Sequence, residues 1–345
     1  VSPNPLVGAV VVRDGRVVGE GYHAEFGGPH AEAVALGRAG DAARGATLYV
    51  TLEPCAHRGK TPPCTHAILD AGVRRVVYAT ADPHPAAAGG GAWLRARGVE
   101  VTAGVCEAAA REWNKPFLVA AAERRTFVAL KLALSLDARI AEAPARRTPL
   151  TGPRALRAAH RLRAGHDAVA VGIGTVLADD PLLTVRVGRP PRRPPVRVVL
   201  DAELGIPSCA RLLETVDAAP VWIFAGPRAD GGRRRALEAR GARVLEVPES
   251  VPGRLDLRAV LGRLWEEGIT SVLFEGGARV AADLLARGLV DRLHLAYAPR
   301  LLGPRGVSPF GPETGPAAGP GPAGRWRLVA RRALGPDTWL TLAPD

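Results

Sequence analysis

One histidine, one glutamate and two cysteines in the first fifth of this 345-residue chain have the types and spacing for hydrolytic chemistry at a metal. His30-Ala31-Glu32 is followed by Pro54-Cys55 and then, with eight residues between the cysteines, by Cys64. An imidazole and two thiolates are borderline-soft donors that suit zinc, and three protein ligands leave the fourth tetrahedral position to water. Water bound there becomes acidic enough to supply hydroxide near neutral pH, and Glu32 is the natural proton carrier. Residues two apart point away from each other on a regular helix. His30 and Glu32 can therefore share a pocket only in a helix's irregular first turn, and Pro29 marks such a start. The alternative is a structural zinc site, with His57 or His66 as the fourth ligand. Cys106 and Cys209 have no ligand pattern around them and are expected to be small core side chains.

A second region with chemical potential is Gly276-Gly277, which ends an apolar run and precedes a helical pattern starting near Val280. Backbone N–H groups and the helix dipole there can meet a cofactor phosphate, although a Gly-Gly pair also serves ordinary turns. Arg163 and Arg186 can grip a ribose phosphate in bidentate fashion; in a chain this rich in arginine, either is also readable as a solvated charge. Gly172 and Gly174 are explained as well by packing.

The elements that must position these residues alternate in an α/β manner. Strands are expected over 7–12 and 16–22, joined by an Asp14-Gly15 turn, and over 46–52, 74–80 and 99–102. Helices are expected over 30–37, 65–71, 89–97 and 107–122. A second run of the same kind begins near Arg124. Its strands are expected over 127–134, 167–171, 196–200, 221–225, 242–247, 271–274 and 292–298, and its helices over 153–163, 231–240, 257–267 and 280–287. The Pro- and Gly-rich stretches 188–195 and 311–324 read as surface loops.

Length and composition bound the remaining choices. A chain of 345 residues suggests two domains, and 47% apolar residues exclude disorder throughout. The longest apolar stretch, 168–178, is too short to span a bilayer, and the start has no signal-peptide pattern, so a cytoplasmic location is expected. Four cysteines are too few for a disulfide scaffold. The net charge of +12 invites a nucleic-acid partner, but the arginines are scattered through every segment and aromatic residues make up only 5%. No nucleic-acid partner is expected, and a small anionic substrate fits the charge as well.

The segments SPNPLVGAVVV, GGPHAEAVAL, TLEPCAHRGKTPPC and DAGVRRVVYATADPHP resemble the deaminase half of the bifunctional riboflavin-biosynthesis deaminase/reductases. LKLALSLD, DAVAVGIGTVLADDPLLTVR, VLFEGGARVAADLL and VDRLHLAYAPRLLG resemble the reductase half. The resemblance implies a cytidine-deaminase-like three-layer α/β/α domain over 1–122 and a dihydrofolate-reductase-like α/β domain over 123–345. It implies His30, Cys55 and Cys64 as zinc ligands and Glu32 as the catalytic proton carrier. Asn4, His23, His57, Lys60 and Asp82 would surround the first substrate. Thr175, Asp179, Gly276, Gly277, Ala278 and Arg279 would hold NADPH. Lys131, Arg163, Leu183, Arg186 and Glu275 would contact the second substrate, with Lys131 and Asp137 also readable as strand caps.

The implied reactions are hydrolytic deamination of 2,5-diamino-6-ribosylamino-4(3H)-pyrimidinone 5′-phosphate by zinc-activated water, then NADPH reduction of 5-amino-6-(5-phosphoribosylamino)uracil to the ribityl product. The implied partners are phosphorylated pyrimidine small molecules, with no membrane and with a homo-oligomeric state, dimer or tetramer. Family members carry a helix before the PNP motif, and that segment is expected to be missing ahead of Val1. Four further departures stand out: Arg147-Thr148-Pro149 replaces a Ser-x-Trp stretch, Ala138 a common glycine, Ala202 a serine, and His84 an asparagine. A deaminase with an impaired reductase, a nucleic-acid deaminase and a non-catalytic zinc-stabilised binding protein are the competing readings.

Overall fold

The computed structural model describes residues 4–57, 62–84, 87–188, 191–310 and 325–345. The chain divides into two units, Val1–Arg125 and Thr126–Asp345. The division lies three residues beyond 122 because the last helix of the first unit continues through Glu123.

In the first unit, β1 (Gly8–Arg13) and β2 (Arg16–Tyr22) form a hairpin. Asp14 and Gly15 both take left-handed backbone, φ +49° and +73°, as the two-residue turn between twisted strands requires. Helix α1 (Ala31–Ala39) lies directly on β2 because Gly19 and Gly21 have no side chains. A Cβ on Gly21 would stand 2.6 Å from the backbone nitrogen of Ala35. That close approach fixes where α1 begins, and so where His30 stands.

Strand β3 (Thr47–Leu52) leads through a loop to α2 (Cys64–Asp70), then to β4 (Arg75–Thr80), α3 (Gly90–Arg95), β5 (Glu100–Ala103), α4 (Glu107–Trp113) and α5 (Lys115–Glu123). The sheet order is β2-β1-β3-β4-β5, antiparallel between β2, β1 and β3 and parallel from β3 to β5. Alternate residues Ala9, Val11, Leu48, Val50 and Val76 build one core with Ala35, Leu36 and Ile68 of the helices. β4 is buried on both faces, and α4 packs against it.

The single helix expected over 107–122 is two helices, broken at Asn114. The Asn114 side chain leaves the helical pattern to accept from the Leu6 N–H at 2.7 Å and donate to the Leu6 carbonyl at 2.9 Å. Pro116 then starts α5, where a missing N–H costs nothing. Cys106 and Cys209, expected in the core, are both exposed; Cys106 takes left-handed backbone at the start of α4.

The second unit contains β6 (Phe127–Leu134), α6 (Pro153–Ala164), β7 (Ala168–Gly172), α7 (Ile173–Asp179), β8 (Val196–Leu200), β9 (Val221–Ala225), α8 (Gly231–Ala239) and β10 (Arg243–Glu246). It continues with β11 (Glu249–Val251), β12 (Arg254–Leu255), α9 (Leu257–Glu266), β13 (Ser271–Glu275), α10 (Ala278–Ala286), β14 (Arg292–Tyr297), β15 (Trp326–Leu334) and β16 (Asp337–Pro344). Its nine-stranded sheet has the order β10-β9-β8-β7-β13-β6-β14-β16-β15, parallel through β14 and antiparallel thereafter.

The parallel strands read as continuous apolar runs because both faces are covered. Val128, Leu130, Ala170, Val198 and Phe224 face one core with α9 and α10. Their neighbours Val169, Val171, Val199 and Ile223 face another with Val176 of α7 and Leu237 of α8. The β15–β16 hairpin, the short β11–β12 hairpin and α7 were not expected from the sequence. Within the loop stretches, 311–324, 189 and 190 lie outside the described residues, and 191–195 has no regular structure.

Candidate active sites

The start of α1 and the loop after β3 converge on the first site. His30 precedes α1 with extended backbone, φ −71° and ψ 157°, while Glu32 is already helical. This change of conformation between them turns both side chains into one cavity of about 340 Å3, as an irregular helix start allows. The Nδ1 atom of His30 lies 3.1 Å from Cys64 Sγ and 3.6 Å from Cys55 Sγ. The three donor atoms stand within 4.8 Å of one another, a spacing compatible with one tetrahedral ion.

Backbone bonds hold the two cysteines: the Cys64 N–H donates to Cys55 Sγ at 3.4 Å, and the Thr65 N–H to the Cys55 carbonyl at 3.3 Å. The hydrogen bond between the sulfurs pulls the Cys55 thiol down to about 4 and pushes the Cys64 thiol up. A divalent cation replaces the shared proton and favours both thiolates, which is the donor chemistry zinc requires. No fourth ligand joins the group among the described residues. His66 packs against Trp93 at a tilt of 42°, ring centroids 4.8 Å apart, and His57 lines the cavity outside the donor cluster. Among the described residues neither His57 nor His66, the two candidates for a structural fourth ligand, joins the donor cluster.

Glu32 is only 4% exposed, and burial pushes its carboxyl above the usual range. His23 points Nδ1 at the Pro29 carbonyl, 3.0 Å away, which leaves Nε2 to accept from the Asn4 amide nitrogen at 2.9 Å. Asp82 accepts from the His84 N–H at 2.9 Å, and burial pushes it up. Asn4, His23, His57 and Asp82 all line the cavity with His30, Glu32 and Cys55. Lys60 lies outside the described residues.

The second site is a cavity of about 700 Å3 across the carboxyl ends of β6, β13, β7 and β8, the edge where open α/β sheets take ligands. Lys131 of β6 and Glu275 of β13 stand in register at its floor. Arg163 of α6 grips Glu275 through two bonds, Nε to Oε1 at 2.8 Å and Nη2 to Oε2 at 2.7 Å, and donates to the Thr184 carbonyl at 3.1 Å. Burial pushes Glu275 up, but the Arg163 charge and hydrogen bonds, with Lys131 beyond, outweigh it and hold the carboxyl below its ordinary value. Burial pushes the Lys131 amine down.

Gly276 and Gly277 have φ +60° and +75°, so both need glycine, and Gly277 caps α10. A Cβ on Gly277 would come within 3.1 Å of Thr175 Oγ1, leaving bare backbone at a helix start, the cradle a pyrophosphate needs. The helix begins at Ala278, two residues before the expected position, because the Gly-Gly turn completes the reversal. Thr175, Asp179, Leu183, Ala278 and Arg279 line the same cavity. Burial pushes the Asp179 carboxyl up, opposed by Arg147. Arg186 does not reach the cavity wall; it is exposed and donates to Thr184 Oγ1 at 3.1 Å. Of the departing residues, Thr148 and Ala202 line this cavity and His84 the first. Asp137 is drawn into a turn by Ser135 and the Leu302 and Gly303 N–H groups, outside the cavity lining.

Sequence reasoning missed Glu53, a buried carboxylate on the first cavity's wall two residues before Cys55. An acidic residue adjoining an otherwise apolar strand end was the signal available.

Comparison with known proteins is consistent with both sites. Residues 2–80 match the cytidine and deoxycytidylate deaminase zinc-binding region, and residues 126–340 match the RibD C-terminal domain. The chain is similar to the riboflavin biosynthesis protein RibD of Aquifex aeolicus, 43% identical over 87% of this chain and 82% of that one. It is 42% identical to the Escherichia coli protein of the same name, over 87% and 83%. Among solved structures, Acinetobacter baumannii RibD superposes with a TM-score of 0.86 at 38% identity, covering 100% of this chain and 93% of that one. The diaminohydroxyphosphoribosylaminopyrimidine deaminase/5-amino-6-(5-phosphoribosylamino)uracil reductase of Thermotoga maritima gives 0.83 at 35%, covering 99% and 93%.

Proposed function

The chain belongs to the RibD family of riboflavin-biosynthesis proteins, and from that membership we propose how its own residues divide the work. It is a bifunctional enzyme, a zinc deaminase in the cytidine-deaminase-like first unit and an NADPH-dependent reductase in the dihydrofolate-reductase-like second. The first reaction removes ammonia from 2,5-diamino-6-ribosylamino-4(3H)-pyrimidinone 5′-phosphate; the second reduces 5-amino-6-(5-phosphoribosylamino)uracil at the ribose.

Zinc held by His30, Cys55 and Cys64 supplies, when bound, a water acidic enough to react near neutral pH. Glu32 holds the proton: its carboxylate takes one from the attacking water and returns it to the departing amine. Asn4, oriented by His23, and Asp82 and His57 bind the pyrimidine, with Lys60 in the same role. In the second unit Thr175, Asp179 and the Gly276–Arg279 backbone hold NADPH, which supplies hydride to the ribose C1′. Lys131 and Glu275 would orient the substrate, Arg163 fixes Glu275, and Leu183 closes the wall. Arg186, exposed outside the cavity lining, is assigned to the substrate's phosphate.

The observation that carries this reading is the cluster of three soft donor atoms within 4.8 Å beside a buried glutamate in one cavity. Phosphorylated pyrimidines fit as partners. The reading further holds that the enzyme is a cytoplasmic homo-oligomer, dimer or tetramer, that does not bind nucleic acid; among the described residues no helix is long and apolar enough to cross a membrane. The test is a coupled assay on the diaminopyrimidine ribosyl phosphate with and without NADPH. Ammonia release in both tubes, with NADPH oxidation only after deamination, is expected. Deamination of single-stranded DNA or tRNA in place of this substrate refutes the reading.

A further inference from the structure

We propose that Glu53 is a positioning residue for deamination, holding Asp82 where the substrate meets it; the inference rests on the assignment of Asp82 to substrate binding. Glu53 follows β3 and is 7% exposed. Its carboxylate accepts from two backbone donors that come from different segments. Oε2 takes the Asp82 N–H at 3.3 Å and Oε1 the Gly91 N–H of α3 at 2.9 Å. Its own N–H donates to the Thr80 carbonyl at 2.9 Å, tying the end of β3 to the end of β4 from which Asp82 emerges.

A carboxylate at this depth is costly unless its oxygens are paired, and here the two oxygens of one acceptor-only group are each matched to a donor-only group. Glutamate alone meets that demand at this length: a carboxamide offers one oxygen and turns an N–H toward the other donor.

The next two residues extend the coupling. The Pro54 carbonyl lies where a Cβ on Gly90 would stand, so the start of α3 is pressed onto the residue between Glu53 and the ligand Cys55. Glu53-Pro54-Cys55 thus joins three parts of the site: the loop bearing Asp82, the start of α3, and the metal ligand set. Asp82 and Glu53 line the same cavity, so a shift of the Asp82 backbone is felt directly by the base bound there.

The experiment uses full-length zinc-loaded enzyme and ammonia release from the diaminopyrimidine ribosyl phosphate. Glu53→Gln is expected to raise KM about tenfold, the scale of one lost hydrogen bond to a charged group, with kcat within about threefold and zinc at one per chain. Asp82→Asn is expected to raise KM at least as much, and the double variant no further than Asp82→Asn alone, since Glu53 acts through Asp82. A purely structural role predicts the opposite pattern: kcat and zinc content fall together, and the two substitutions multiply. That pattern, or an impaired Asp82→Asn beside an unaffected Glu53→Gln, overturns the proposal. An unchanged KM in Asp82→Asn removes the substrate assignment itself and the proposal with it. Should Glu53→Gln not fold, Glu53→Asp, which keeps the charge at shorter reach, carries the same cycle.

Discussion

The two catalytic cavities of this enzyme are built on different plans. In the first unit the donors lie between residues 30 and 64, carried by the starts of α1 and α2 and the loop after β3, and their atoms lie within 4.8 Å of one another. In the second unit the floor is assembled from β6, α6 and β13, and its central ion pair joins residues 112 positions apart. Cooperation between soft ligands at short spacing is local chemistry. The Arg163–Glu275 pair joins α6, which connects β6 to β7, with β13, which the strand order inserts between those two strands. One site therefore depends on its ion, and the other on the integrity of a nine-stranded sheet.

Removing the metal tests that contrast most severely. Chelation is expected to abolish ammonia release and to lower the melting temperature of the first unit, because ligand ionisation and folding are coupled to the ion. NADPH-dependent reduction of the deaminated substrate should continue in the same tube. Parallel loss of both activities on chelation breaks the division of labour. Next in size is Glu32→Gln, which keeps the proposed ligand set and removes only the proposed proton carrier. Ammonia release should fall by about 10²–10⁴-fold with zinc content unchanged, measured by turnover against atomic absorption. Near-normal turnover would falsify the role given to Glu32.

Arg163→Ala addresses the second plan. The two side chains are 12% and 11% exposed, and deletion leaves the Glu275 carboxylate buried without its fork. Breaking such a pair costs about 3–5 kcal/mol, so the reductase unit should melt roughly 6–20 °C lower while deamination persists. The sign with pH follows from Glu275, whose carboxyl is held below its ordinary value. Its contribution to stability is complete above the unfolded glutamate value and lost as pH falls through the lower, folded one. The wild type should therefore lose reductase stability on acidification in a step that Arg163→Ala lacks. An unchanged acid limb in the variant counts against the pair.

What could be read from the sequence follows the same line. The β1–β2 hairpin was legible because Asp14-Gly15 supplies the two left-handed residues its turn needs, and the central strands because both their faces are buried. The C-terminal hairpin was not: β15 is an edge strand whose Arg327, Arg331 and Arg332 break the alternation expected of a half-buried strand. The break at Asn114 was hidden because its partner, Leu6, is 108 residues away. At the sites, the residue types named His30, Cys55 and Cys64 outright. They could not show that Arg163 spends its fork on Glu275, nor that Glu53 faces two N–H groups, because those facts belong to chain segments meeting in space.

The smallest effect expected concerns a residue where sequence and backbone disagree. Ala138 stands in the tight turn after β6, with φ +57°, a conformation that costs an L-residue about 1–2 kcal/mol and glycine nothing. The turn is enforced from outside: the Ala138 N–H donates to the Ser135 carbonyl at 3.0 Å, the Arg139 N–H to Ser135 Oγ at 2.9 Å, and Ser135 Oγ to Asp137 at 2.6 Å. Ala138→Gly relieves the strain but gives the unfolded chain more freedom, which takes back about 0.4–1 kcal/mol. The net gain should be about 0.5–1 kcal/mol, a rise of roughly 1–4 °C in the reductase unit's melting temperature, with no change in the deaminase transition. Because the turn lies outside the cavity lining, kcat and KM for reduction should not move. A lower melting temperature would mean that the Ser135–Asp137 bonds do not hold the backbone left-handed, and that the strain at this corner is not stored where the geometry places it.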